Sequence, residues 1–190
     1  MIERVTTSSA PRPRARRHAL RGWVGVAARL VLGVVLLVAG LLKVGALGES
    51  VNAVMAYRIL PYELVAPVGI TLPFIEIVVG LLLIAGLYTR LAGLAGALLM
   101  VAFIIGIASA WARGLALDCG CFGGGGEIPL EQAVAAYPWE IARDVGLLLL
   151  GAWLVVFPRT PVAVDNLRLP DPDFDADADA AAEPAASTHA

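Results

Sequence analysis

The chain has 190 residues, 59% of them hydrophobic, with a mean hydropathy of +0.80 and 16% charged residues. Soluble domains run about 45–50% apolar and about 25% charged, so this composition excludes one. The net charge of −2 averages a basic head against an acidic tail, leaving a middle with room for about four spans of roughly 20 residues. The expectation is an all-α membrane protein: a multi-pass four-transmembrane-helix bundle in the inner or plasma membrane. Its divisions are a basic disordered arm over 1–22, a membrane domain over 23–158 and an acidic disordered tail over 159–190.

The head carries Arg4, Arg12, Arg14, Arg16, Arg17 and Arg21 among Pro, Ser and Thr. Arg16-Arg17 ahead of an apolar run resembles a twin-arginine export signal, but three more apolar runs follow and no clean Ala-x-Ala cleavage site appears. Span one lies within Val24 to Leu47, with Arg29 and Lys43 near its ends, where both can snorkel toward headgroups. From Glu49 to Pro61, Val51, Val54, Met55 and Ile59 recur at helical spacing, which predicts a short amphipathic helix on the membrane surface. Span two lies within Leu64 to Tyr88 and holds Pro67, Pro73 and Glu76; span three, Leu91 to Ala112, is uncharged between Arg90 and Arg113. Its small residues four apart, Ala92/Gly96 and Gly93/Ala97, permit close helix approach. Span four, Ile141 to Phe157, opens with Arg143-Asp144, and Tyr137 and Trp139 before it suit an interfacial belt. The tail from Asp165, with its DFDADADA run, reads as disordered.

Orientation follows from the basic residues. With the N-terminus inside, ten lie on the cytoplasmic side: the six of the arm with Arg29, Arg90, Arg159 and Arg168. Lys43, Arg58, Arg113 and Arg143 face out. Both termini are then cytoplasmic, and the loop of residues 113–140 lies in an oxidising compartment.

That loop carries Leu117-Asp118-Cys119-Gly120-Cys121-Phe122-Gly123, the only cysteines in the chain. A disulfide between cysteines one residue apart is strained, hence labile. It closes so little chain that it adds little stability through the unfolded state. Thiol–disulfide exchange is therefore favoured over an inert pair. Metal binding is the other alternative, but the only histidines, His18 and His189, lie in the tails across the membrane. Zinc would lack ligands, and a site would need a second copy of the loop or a two-coordinate Cu(I) ion.

Lys43, Glu76, Arg143 and Asp144 form a second set, at similar depth on different spans. An unpaired ion there costs at least ~2.5–3.5 kcal/mol, so the four should meet inside the bundle. They then fix helix register or, beneath the cysteine loop, serve as a proton relay or as the anchor of a quinone headgroup.

Several stretches together resemble the MauE/DoxX group of small four-helix membrane proteins. They are Ala39-Gly40-Leu41-Leu42-Lys43, Tyr57-Arg58-Ile59-Leu60-Pro61, Pro73-Phe74-Ile75-Glu76 with Gly80, Cys119-Gly120-Cys121-Phe122-Gly123 and Arg143-Asp144. The resemblance covers roughly residues 27 to 157. The Cys-Gly-Cys-Phe-Gly element points to the MauE branch. That branch is associated with methylamine utilisation, where it looks like an accessory in disulfide maturation beside a thioredoxin-like protein. The layout is also similar to DsbB and the vitamin K epoxide reductases, but this chain has one cysteine pair rather than two and no Cys-x-x-Cys. A full thiol-to-quinone relay would need a partner.

Cys119 and Cys121 are thus expected to exchange disulfides with an extracytoplasmic thioredoxin-like or client protein; the sequence leaves open which is attacked, the Gly-rich segment favouring Cys121 slightly. The lipid bilayer is the other partner; no nucleic acid or metal is expected, and a quinone is the only cofactor considered. The rival reading is a noncatalytic membrane subunit or scaffold of an oxidoreductase complex.

Overall fold

A computed structural model describes residues 13–120, 125–158, 160 and 163–165. Among these residues the chain forms α1 (Pro13–Val44), α2 (Leu47–Ala56), α3 (Tyr62–Ala85), α4 (Thr89–Ala112), β1 (Leu117–Asp118), β2 (Gly126–Glu127) and α5 (Leu130–Val156). Three stretches are long and apolar enough to cross a membrane: Arg21–Val44 of α1, α3 and α4. α5 is of similar length, but Glu140, Arg143 and Asp144 interrupt its apolar half.

α3 and α4 carry apolar residues nearly all round, as lipid-facing segments do. One side of each helix packs inward. Leu32 and Leu36 of α1, Leu83 of α3, Met100 of α4 and Leu154 of α5 make one buried core, while Leu81, Leu91, Ile105 and Leu149 face outward. The pairs α1/α3 and α4/α5 approach most closely, because glycines remove the side chains between them. A Cβ on Gly80 would lie 2.8 Å from the Gly33 carbonyl oxygen, and one on Gly40 would lie 2.7 Å from that of Pro73. Across the other pair, Gly93 and Ala97 face Gly151 as their spacing anticipated, whereas Gly96 meets Leu32 of α1.

α2 occupies the place of the expected surface helix but is shorter. It stops at Ala56, after which Arg58 takes a positive φ of 51° and Pro61 leads into α3. Its inner face is small: Ser50 donates to the Gly69 carbonyl at 2.8 Å, and Ala53 is buried.

The boundaries of the arm and tail need correction. Residues 13–22 continue span one as helix rather than standing as a disordered arm; residues 1–12 and 166–190 lie outside the described residues. The start of the tail folds back on the bundle. Asp165 accepts from the Tyr88 amide at 2.8 Å, the Thr89 amide at 2.9 Å and the Thr89 hydroxyl at 3.0 Å, satisfying first-turn donors of α4 that no earlier residue caps. Partial burial pushes the Asp165 carboxyl up, but the amides of Thr89 and Tyr88, the Thr89 hydroxyl and the Arg29 charge outweigh it and hold it below the ordinary aspartate range. Arg29 does not snorkel. It is 3% exposed and donates to the Thr160 hydroxyl at 2.7 Å, with its guanidinium where a side chain on Gly86 would sit. Thr160 and Asp165 therefore fasten that end of the bundle.

Candidate functional site

At the opposite end the chain between α4 and α5 folds over α2. Gly114, at φ +65°, turns it out of α4, and the Leu115 amide closes the turn on the Ala110 carbonyl at 3.0 Å. The two-residue strands pair antiparallel, Leu117 with Glu127 and Asp118 with Gly126. So short a ladder is not stable alone, and side chains of the helices hold it. The Tyr137 hydroxyl donates to the Leu115 carbonyl at 2.6 Å and accepts from the Leu117 amide at 3.0 Å. Tyr57 donates to the Cys119 carbonyl at 3.0 Å. Arg113 reaches from the end of α4 to the carbonyls of Tyr57 and Arg58, and Gly125 lies so close to Ala53 that a Cβ there would meet its methyl at 2.5 Å. Arg58 and Glu127 approach to 3.7 Å, but both are exposed, so the pair adds little.

Tyr137 is a second correction. Its ring is 1% exposed and packs with Ile107 and Ala133, so it serves as a post beneath the loop. Trp139, 73% exposed, keeps the surface position expected of a belt residue.

Cys119 is half-buried in this frame. Gly120 follows at φ +65°, its amide bonded to an Asp118 carboxylate oxygen at 3.1 Å; Cys121 lies outside the described residues. The Cys119 sulfur and one carboxylate oxygen each of Asp118 and Glu140 lie within 4.8 Å of one another. The Cys119 thiol hydrogen-bonds the Glu140 side chain. Glu140 stands one residue before the expected fourth span, and burial pushes its carboxyl above the ordinary range. The Cys119 hydrogen bond and the Arg143 charge oppose the rise, while Asp118 and Asp144 add to it. Its Oε2 is buried with no hydrogen-bond partner among the described residues. Reading the sequence for Cys and His alone passed over Glu140. The signal was present, since a residue four before Asp144 shares its helix face.

Deeper in the bundle the four charged residues lie together. Lys43 bonds Glu76 at 2.6 Å, with the two side chains 5% and 0% exposed. Arg143 bonds Asp144 at 2.9 Å, Asp144 being 2% exposed. Lys43 also stands 5.1 Å from the centre of the Phe103 ring, a cation–π contact. Two cations thus balance two carboxylates around a cavity of about 20 Å³ lined by Glu76, Arg143 and Asp144 with apolar residues of α1, α4 and α5. Glu76 Oε2 and Asp144 Oδ2 have no hydrogen-bond partner among the described residues. A water needs roughly 10–15 Å³ by this kind of measure. The space fits one water and is too small for a quinone ring, so the quinone anchor does not fit here.

Two ends of the bundle are therefore specialised, one closed by the tail and the other carrying a thiol beside an acid. Comparison with known proteins gives no matching curated protein and no matching solved structure. It does give a family, described as methylamine utilisation protein MauE, whose profile matches residues 21–157. From the apolar part of α1 to the end of α5, the helices and the cysteine loop all fall inside that match, and the chain belongs to the MauE family of membrane proteins related to methylamine utilisation.

Proposed function

We propose that this protein is a membrane thiol–disulfide exchange protein whose Cys119/Cys121 pair, on an extracytoplasmic loop, trades disulfides with a thioredoxin-like or client protein. Four spans carry it in the cell membrane, α5 supplying the fourth, with both termini cytoplasmic as the ten-to-four distribution of basic residues favours. The observation that carries the reading is the placement of Cys119. It sits on a loop fastened through Tyr57, Tyr137 and Arg113 to three helices, with an acid at its sulfur. A cysteine that only filled space would need no such frame.

In the reaction a partner's thiolate attacks one sulfur of the oxidised pair, forming a mixed disulfide and freeing the other cysteine as a thiolate. That cysteine then attacks back to release the partner, or a second partner thiol completes reduction of the pair and leaves the partner oxidised; the same steps run in reverse for reduction of the partner. The test is trapping. Only one of Cys119→Ser and Cys121→Ser should accumulate a DTT-sensitive adduct of higher mass on nonreducing gels. A membrane-impermeant maleimide should label the reduced loop in intact spheroplasts. If neither single variant traps an adduct and the double variant sustains the host's oxidoreductase activity, the scaffold reading replaces this one; labelling only after lysis inverts the topology.

A further inference from the structure

We propose that the charged cluster inside the bundle is a binding site for one water molecule, held as a structural ligand between Glu76 of α3 and Asp144 of α5, where it joins the two halves of the molecule. The site lies among the membrane helices, and the inference stands apart from the exchange reading above.

The two ion pairs create the demand for it. Lys43 Nζ donates to Glu76 Oε1 at 2.6 Å. Arg143 Nε donates to Asp144 Oδ1 at 2.9 Å, and its Nη2 approaches the same oxygen at 2.9 Å. Each pair therefore engages one oxygen of its carboxylate. The other two, Glu76 Oε2 and Asp144 Oδ2, are buried with no hydrogen-bond partner among the described residues, on residues 0% and 2% exposed. An ionised carboxylate accepts at both oxygens, and a buried acceptor left unserved is costly. Glu76 and Asp144 both line the cavity of about 20 Å³, which exceeds the roughly 10–15 Å³ that one water needs.

Charge selects the ligand. Lys43 and Arg143 offset Glu76 and Asp144, so the paired cluster is neutral. A cation would add an uncompensated charge among Leu36, Met100, Phe103 and Leu147, and an anion would face two carboxylates. A neutral molecule with two donors and no carbon suits both the volume and the acceptors, and water is that molecule.

The position gives the water its role. α1 packs closely on α3 and α4 on α5 through their glycines. The Lys43–Glu76 pair stays within the first of these units, and Arg143 and Asp144 are both on α5. Between the units, apolar side chains meet, with Lys43 over the Phe103 ring. A water shared by Glu76 and Asp144 adds a hydrogen-bonded link across that seam.

The experiment uses the full chain, carbon-13 labelled, in liposomes of deuterated lipid. In solid-state NMR, magnetisation from water protons should reach the carboxyl carbons of both Glu76 and Asp144. Ala39 lines the cavity and is 5% exposed. Ala39→Val fills the space and leaves both ion pairs in place, so transfer to both carbons should fall at least fivefold. A signal relayed by exchanging protons of Lys43 or Arg143 would persist in that variant, and persistence overturns the site. Ala39→Thr has nearly the same shape but supplies a hydroxyl where the water stood. Its folding constant in detergent should exceed that of Ala39→Val by roughly tenfold, whereas a dry cavity would favour Val. Should Ala39→Val fail to fold, Val35→Ile fills the same cavity from the preceding turn and gives the same reading. No transfer in the unmodified protein, or Val as stable as Thr at position 39, overturns the proposal. Transfer to one carbon alone overturns the shared seat, and stability that rises when sodium replaces choline assigns the cavity to a cation instead.

Discussion

The cluster between the helices and the thiol loop above it withdraw similar groups from water and balance them differently. Lys43, Glu76, Arg143 and Asp144 pair two cations with two anions. Beside the Cys119 sulfur stand Asp118 and Glu140, both acids, while the Arg143 charge acts on Glu140. A cluster whose charges are paired within it favours a structural role. An acid-rich pocket around a thiol leaves a proton to be shared, and there chemistry is favoured. The two regions lie on one face of α5, Glu140 being four residues before Asp144.

The contrast breaks most completely at the cysteines. Cys119→Ser or Cys121→Ser should abolish exchange in a turnover assay with a thioredoxin-like disulfide while leaving the thermal midpoint nearly unchanged; a large loss of stability would make the pair structural. In the cluster the order should reverse. Lys43→Met or Glu76→Gln strands a partner at a buried site and should cost about 3–5 kcal/mol, and the double variant should recover much of the loss. Denaturation in detergent or steady-state abundance measures this, and strictly additive losses would show that the 2.6 Å contact is energetically idle.

Smaller effects sharpen the comparison. Tyr137→Phe keeps the ring but removes the hydroxyl that serves Leu115 and Leu117. The buried groups left unpaired should cost about 1–3 kcal/mol, seen as faster amide exchange at Leu117 with α3 unaffected. The smallest effect lies at the far end, where Asp165→Ala should cost about 1 kcal/mol by uncapping α4. Because the folded-state carboxyl is held below its unfolded value, this contribution is present above the ordinary aspartate pKa of about 3.9 and is lost as pH falls through the depressed folded value. Acid titration of the variant should therefore lack that part of the loss.

How much of this was legible follows from the range of each signal. Apolar runs announce spans because the bilayer fixes their length, and Glu76 and Lys43 stood out because charge is rare in such runs. Glu140 did not: it sits among Trp139, Ile141 and other residues of a helix entrance where acids are common. Tyr137 looked like a belt residue since its spacing fits an interface as well as a loop support, and only the tertiary arrangement of β1 separates the two. The Asp165 cap lies 76 residues from Thr89, and no local pattern relates them. The position of Cys119 on the loop between the third and fourth apolar runs could be read from the sequence; its acid neighbour required the return of α5 beneath that loop.

The contact between Gly33 and Gly80 bears on charges farther along the helices, Glu76 about one turn from Gly80 and Lys43 nearly three turns from Gly33. Backbone stands on backbone there, and again where Gly40 meets Pro73. A slip of α1 along α3 by one residue, about 1.5 Å, would turn a side chain into the space each glycine leaves empty. These bare positions therefore work as the notches of a vernier, admitting one setting of the two helices, and it is the setting at which Lys43 comes level with Glu76.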